Sequence, residues 1–122
     1  MDYGKELIMD LHHCDVSQFT RKALKAYFMD LCELIDMERC KLTWWDDRYT
    51  LPWNKQTAPH TTGTSAVQFI ITSNITAHTL DLMKRIYINV FSCKEFDDKL
   101  VQLFTQERFS GSIVQALVVR RI

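Results

Sequence analysis

Apolar and polar positions along this chain follow two periods, one of about two residues and one of about three and a half, and their succession marks out eight elements. The run "ELIMDLHHC", mixed in polarity and ended by Asp15, reads as a first strand. Ser17 is placed to cap a helix in which Phe19, Ala23, Ala26, Tyr27, Leu31, Leu34 and Ile35 recur at helical spacing through about Met37. Residues 40–45 predict a second strand. The stretch that follows, "DDRYTLPWNKQTAPHTTG", holds both prolines and little periodicity, so it is a long loop with Trp44, Trp45, Tyr49 and Trp53 in or beside it. Loops of this length in small domains are more often functional than idle, and aromatic anchoring of a surface loop is the equal alternative. Three strand-like runs come next, at 65–71, 74–79 and 85–92, each rich in β-branched or aromatic residues. A helix from Glu95 to about Phe109, with Phe96, Leu100, Leu103 and Phe104 on one face, leads through Ser110 and Gly111 into a last strand, "SIVQALVVRR". The order β-α-β-loop-β-β-β-α-β predicts an α+β fold: a mainly antiparallel sheet with two helices packed on one face, a two-layer sandwich.

Length and charge narrow the picture. With 122 residues and 47% hydrophobic composition, the chain suits one domain with a real core, covering 1–122. Fifteen basic and fifteen acidic side chains cancel, which argues against nucleic acid or an anionic membrane as the main partner and leaves a small molecule. No apolar stretch approaches the roughly 20 residues that span a bilayer, and a cytoplasmic location is expected. Cys14, Cys32, Cys40 and Cys93 contain no CxxC pair, so reduced thiols are expected.

One polar cluster stands out. Ser73, Asn74, Thr76, His78 and Thr79 crowd into "TSNITAHT". A hairpin closed by residues 80–84, with its register centred on Leu82 and Met83, sets Ser73 opposite Ser92 and puts Cys93 beside Ser73. A thiol next to a serine at a strand end, with a histidine five residues along, suggests a Ser/His nucleophile, a Cys/His nucleophile, or backbone self-cleavage at the serine. The first two lack their usual support: no G-x-S-x-G elbow is present, and on a straight strand His78 lies about 16 Å from Ser73. A metal site is weak too, because His12 and His13 point to opposite faces of a strand.

These residues carry a resemblance. "GKELIMDLHHCD", "GTSAVQFIITSNITAHT" and "YINVFSC" are similar to the small prokaryotic S-adenosylmethionine decarboxylases, whose central pattern is Glu-Ser-His-(x)3-His-Thr-Trp-Pro-Glu followed by Phe-Thr-Cys. The likeness covers nearly the whole chain, and the spacing of Ser65, Ser73, His78 and Cys93 matches. It implies that the chain breaks itself between Thr72 and Ser73, that Ser73 becomes a pyruvoyl cofactor, that His78 and Ser65 serve this processing, and that Cys93 is the catalytic acid. The chemistry asks for such groups. Decarboxylating an α-amino acid leaves a carbanion that needs an electron sink, and a ketone that condenses with the substrate amine as a Schiff base provides one without pyridoxal phosphate.

The chain also departs from the pattern. Thr72 replaces the glutamate and Asn74 the first histidine. Leu80 stands where an aromatic would stack on adenine, and Leu82 where an acid would hold the ribose hydroxyls; Asp81, one position earlier, is the candidate substitute. The expected activity is therefore a pyruvoyl-dependent decarboxylase of polyamine synthesis, with S-adenosylmethionine as leading substrate and ornithine or arginine as alternatives. The opposing expectation is an unprocessed binding or regulatory homologue. Reach adds one more: neither Ser65 nor His78 extends to Ser73 of its own chain, so a homodimer with active sites shared between protomers is expected.

Overall fold

The computed structural model describes residues 2–122. Its eight main elements are β1 (Gly4–His12), α1 (Arg21–Leu34), β2 (Arg39–Trp45), β3 (Ser65–Ile70), β4 (Ser73–Leu80), β5 (Arg85–Ser92), α2 (Asp98–Phe109) and β6 (Ser112–Arg121). Six strands form one sheet in the order β2-β3-β4-β5-β1-β6, and every neighbouring pair is antiparallel. The fold is α+β, as the pattern predicts.

The connections explain why both helices share a face. The sheet order makes β1 and β2 parallel, and likewise β5 and β6, so each of these two links is a helical crossover. The first starts on an up strand and moves one way along the sheet; the second starts on a down strand and moves the other way. A common hand, right-handed by the usual rule, then places α1 and α2 on the same side. Alternation along the strands follows. Leu7, Met9 and Leu11 of β1, Ile75 and Ala77 of β4, and Ile86, Ile88 and Val90 of β5 are buried under Leu24, Tyr27, Phe28 and Leu31 of α1 and Val101 and Phe109 of α2. Among the described residues no helix covers the other face of the sheet. On it lie Glu6, Ile8, Val67, Phe69, His78, Tyr87, Asn89 and Phe91, all partly or fully exposed.

Several local expectations are corrected. Ser17 caps no α-helix: its hydroxyl donates to Asp15 (2.7 Å), Asp15 caps a short 3-10 turn at Val16–Phe19, and Thr20 caps α1 by accepting from the Ala23 N–H. The helix stops at Leu34 rather than near Met37, because Asp36 turns left-handed at φ 56°. Helix α2 begins at Asp98, capped by Asp97, and buries Val101, Thr105 and Phe109. Leu100 and Leu103, expected inside, are exposed. The face is rotated because Thr105 is accepted in the core, where its hydroxyl and that of Tyr27 lie 2.8 Å apart.

Candidate active site

The β3–β4 hairpin pairs Ile70 with Ser73, so only Ile71 and Thr72 form its loop. Two-residue hairpins ordinarily place glycine or asparagine at positive φ. Neither Ile71 nor Thr72, both β-branched, takes such a conformation; the demand falls on Ser73, whose φ is 153°. That backbone region costs a non-glycine residue on the order of 1–3 kcal/mol and persists only where neighbours hold it.

The neighbours are identifiable. Strand β5 pairs Ser92 with Ser73, the register read from the sequence. One residue on, the Cys93 N–H donates to the Thr72 carbonyl oxygen at 3.1 Å. The Thr72 hydroxyl lies 2.7 Å from the hydroxyl of Ser92, which is fully buried and also accepts from the Lys94 N–H at 3.0 Å. The Ser73 hydroxyl accepts from the Asn74 side-chain amide at 3.1 Å. Gly4 is required here, since a Cβ at that position would come within 2.3 Å of the Ser92 carbonyl oxygen and 2.6 Å of the Cys93 Cα. The peptide bond between Thr72 and Ser73 is thus held on its carbonyl side by β5 and strained on its amide side. A cavity of about 300 Å³, lined by Asp36, Met37, Thr72 and Lys94, adjoins it.

A second group gathers at the opposite end of β4. Ser65 pairs with His78, and Ser65 Oγ is 2.7 Å from His78 Nδ1. The His78 ring stacks at 6.5 Å on Tyr87, and both face the helix-free side of the sheet. A cavity of about 270 Å³ is lined by Ser65, His78, Trp45, Gln56 and His60. Five residues of straight strand separate this pair from Ser73, about 16 Å. The structure therefore sets the backbone of Cys93 beside the Thr72–Ser73 peptide, brings the Ser65 and His78 side chains together, and keeps the two groups apart within one chain. Asp81 belongs to the His78 end; its carboxylate accepts from Thr79 Oγ1 at 2.9 Å, and it borders a third cavity beside Arg21 and Asp46.

The long loop is ordered by two aspartates. Asp46 takes two hydrogen bonds from the Arg21 guanidinium (2.7 and 2.8 Å), and Asp47 accepts from Thr50 Oγ1 and the Gln56 N–H. Of its aromatics only Trp44 packs against the core, whereas Trp45, Tyr49 and Trp53 face outward. Cys14 and Cys32 are buried, and burial pushes both thiols up to about 11, which makes them inert; Cys40 and Cys93 are exposed. Among the described residues no three His, Cys, Asp or Glu side chains converge as a metal site, and no helix is long and apolar enough to cross a membrane.

Residues 5–122 match the family model described as S-adenosylmethionine decarboxylase. The fold is similar to the crystal structure of the adenosylmethionine decarboxylase from Aquifex aeolicus vf5, with a TM-score of 0.76 and 13% identity over 98% of this chain and 91% of that one. At that identity the likeness speaks for the fold. No curated protein matches the chain.

Proposed function

The chain belongs to the S-adenosylmethionine decarboxylase family, and on that premise we propose that it is a pyruvoyl-dependent decarboxylase of polyamine synthesis that cuts itself between Thr72 and Ser73. The observation that carries this reading is the hydrogen bond from the Cys93 N–H to the Thr72 carbonyl oxygen, beside a serine at φ 153°. Attack by Ser73 Oγ on the Thr72 carbonyl carbon gathers negative charge on an oxygen that already has a donor aimed at it. Collapse breaks the C–N bond and leaves Thr72 esterified to Ser73 Oγ, relieving the strained backbone. Loss of the Ser73 Cα proton then expels Thr72 as a free carboxylate. The dehydroalanine left behind takes up water and releases ammonia, which yields the pyruvoyl group.

These residues fit such a group: a serine at an exposed hairpin end, a polarised carbonyl before it and a thiol across the strand. Its ketone supplies the electron sink for decarboxylation. Cys93 then gives the proton to the substrate's α-carbon, and His78 with Ser65 serves the processing steps as base and oxyanion donor. Because that pair lies about 16 Å away along β4, it acts on a second copy of the chain. The helix-free sheet face favours this arrangement, for it exposes Phe69 and partly exposes Ile8, Val67, Tyr87 and Phe91 next to His78 itself.

S-adenosylmethionine is the leading substrate, and ornithine and arginine stand close behind it because Leu80 and Leu82 replace the aromatic and the acid that would hold a nucleoside. Release of labelled carbon dioxide from the three compounds tests the assignment. Turnover of S-adenosylmethionine well above the other two is expected; no release from any of them by cleaved protein would overturn the enzymatic reading.

A further inference from the structure

Lys94 has no part in the reaction as derived above, yet it stands beside the bond that breaks. Its backbone N–H donates to Ser92 Oγ at 3.0 Å, and Ser92 Oγ in turn lies 2.7 Å from the Thr72 hydroxyl. Its side chain lines the cavity of about 300 Å³ that Thr72 also lines. Among the described residues no other cation lines that cavity, whereas Asp36 and Glu38 bring two acids to it. The Lys94 ammonium is held by Asp36, donating to its carboxylate at 2.8 Å and to its carbonyl oxygen. That hold is weak. The Asp36 side chain is 95% exposed and that of Lys94 45%, so water competes for both partners and their separation costs little.

Self-cleavage creates a charge where this lysine can meet it. In the elimination step a base takes the Ser73 Cα proton, the Cα–Cβ double bond forms, and the Cβ–Oγ bond breaks with its electron pair on the oxygen that leaves in the Thr72 carboxylate. A negative charge thus appears beside a cavity that already holds two acids. The Cys93 N–H stays on the former carbonyl oxygen, and the contact between the Thr72 and Ser92 hydroxyls keeps the departing residue in place. We propose that Lys94 is the leaving-group residue of this step: its ammonium lets go of the exposed Asp36 carboxylate and receives the carboxylate of Thr72 as the ester bond gives way. Lys94 keeps its proton throughout, so the base alone gains one and the step balances. A cation aimed at charge that appears only during elimination speeds that step and leaves ester formation as it was.

The inference rests on the self-cleavage proposed above, and trapping the ester separates the two. Hydroxylamine cuts the ester into a 72-residue hydroxamate and a 50-residue fragment that begins with unmodified serine and reads by Edman sequencing, whereas completed cleavage gives a blocked fragment. Lys94→Met keeps the length of the side chain and the backbone N–H to Ser92, and removes the charge. It is expected to form the ester at the parent's rate and to eliminate about tenfold more slowly, so that hydroxylamine-sensitive chain accumulates; Lys94→Arg should restore most of the rate. Asp36→Asn is the control for a structural role, because it breaks the same ion pair, keeps the cation and suits the left-handed backbone at φ 56°. It should eliminate at least as fast as the parent. Elimination in Lys94→Met as fast as in the parent would overturn the role of Lys94. Equal slowing by Lys94→Met and Asp36→Asn would overturn it too, reducing the ion pair to a structural tie. A parent chain that yields neither trapped ester nor blocked fragment would overturn the function proposed above.

Discussion

At Ser73 a hairpin without glycine concentrates its backbone demand on one residue, and that residue is the one with a hydroxyl beside a polarised carbonyl. Cys93 contributes twice in this account, through its backbone N–H before cleavage and through its thiol afterwards. The two uses are separable by mutation, since Cys93→Ala retains the N–H. This variant is expected to cleave, at least in part, and then to turn over at least tenfold more slowly, with its pyruvoyl group lost to alanine over successive turnovers; intact mass followed during the assay measures both. Full activity would remove the thiol from the mechanism. Pairing of Ser73 with Ser92 was legible because one turn centre fixes every pair in a hairpin. The Thr72–Ser92 hydroxyl pair was not legible, as side-chain contact at a strand end depends on which way the turn closes.

Elements were read better than their faces. All six strands and both helices stand within a few residues of their expected places, since runs of β-branched residues and long apolar periods survive most packing arrangements. The buried face of α2 was misread because counting apolar residues favours Leu100 and Leu103 over Thr105, while the core selects by partner. Between elements, the Arg21–Asp46 pair joins the first turn of α1 to the start of the long loop. The Arg21 hydrogen bonds hold the Asp46 carboxyl below the usual aspartate range, with burial opposing them and the Arg48 N–H assisting. A depressed folded-state pKa contributes stability above the unfolded value of about 4 that is lost as pH falls through the folded value. Asp46→Asn is therefore expected to lower the melting temperature by a few degrees at pH 7 and to change it far less at pH 3. An equal drop at both pH values would show that the loop is held by something other than this charge.

At the scale of the whole molecule, one chain holds Ser73 with Thr72 and Cys93 at one end of β4 and Ser65 with His78 at the other, and the helix-free sheet face carries the second group. The proposed dimer, packed across that face, is the arrangement that would complete both sites at once. Mixing Ser73→Ala chains with His78→Ala chains tests it: a mixed pair contains one site with an intact serine and an intact histidine, so the His78→Ala chain should recover cleavage. Absence of recovery after proven subunit exchange would place His78 outside the reaction or inside its own chain's site. Everything above depends on the break itself. Intact mass of the purified protein measures it most directly. The account predicts fragments of 72 and 50 residues, the smaller starting from a pyruvoyl group in place of Ser73 and blocked to Edman sequencing, with Ser73→Ala giving a single chain. An unmodified chain of 122 residues that persists through long incubation would contradict it.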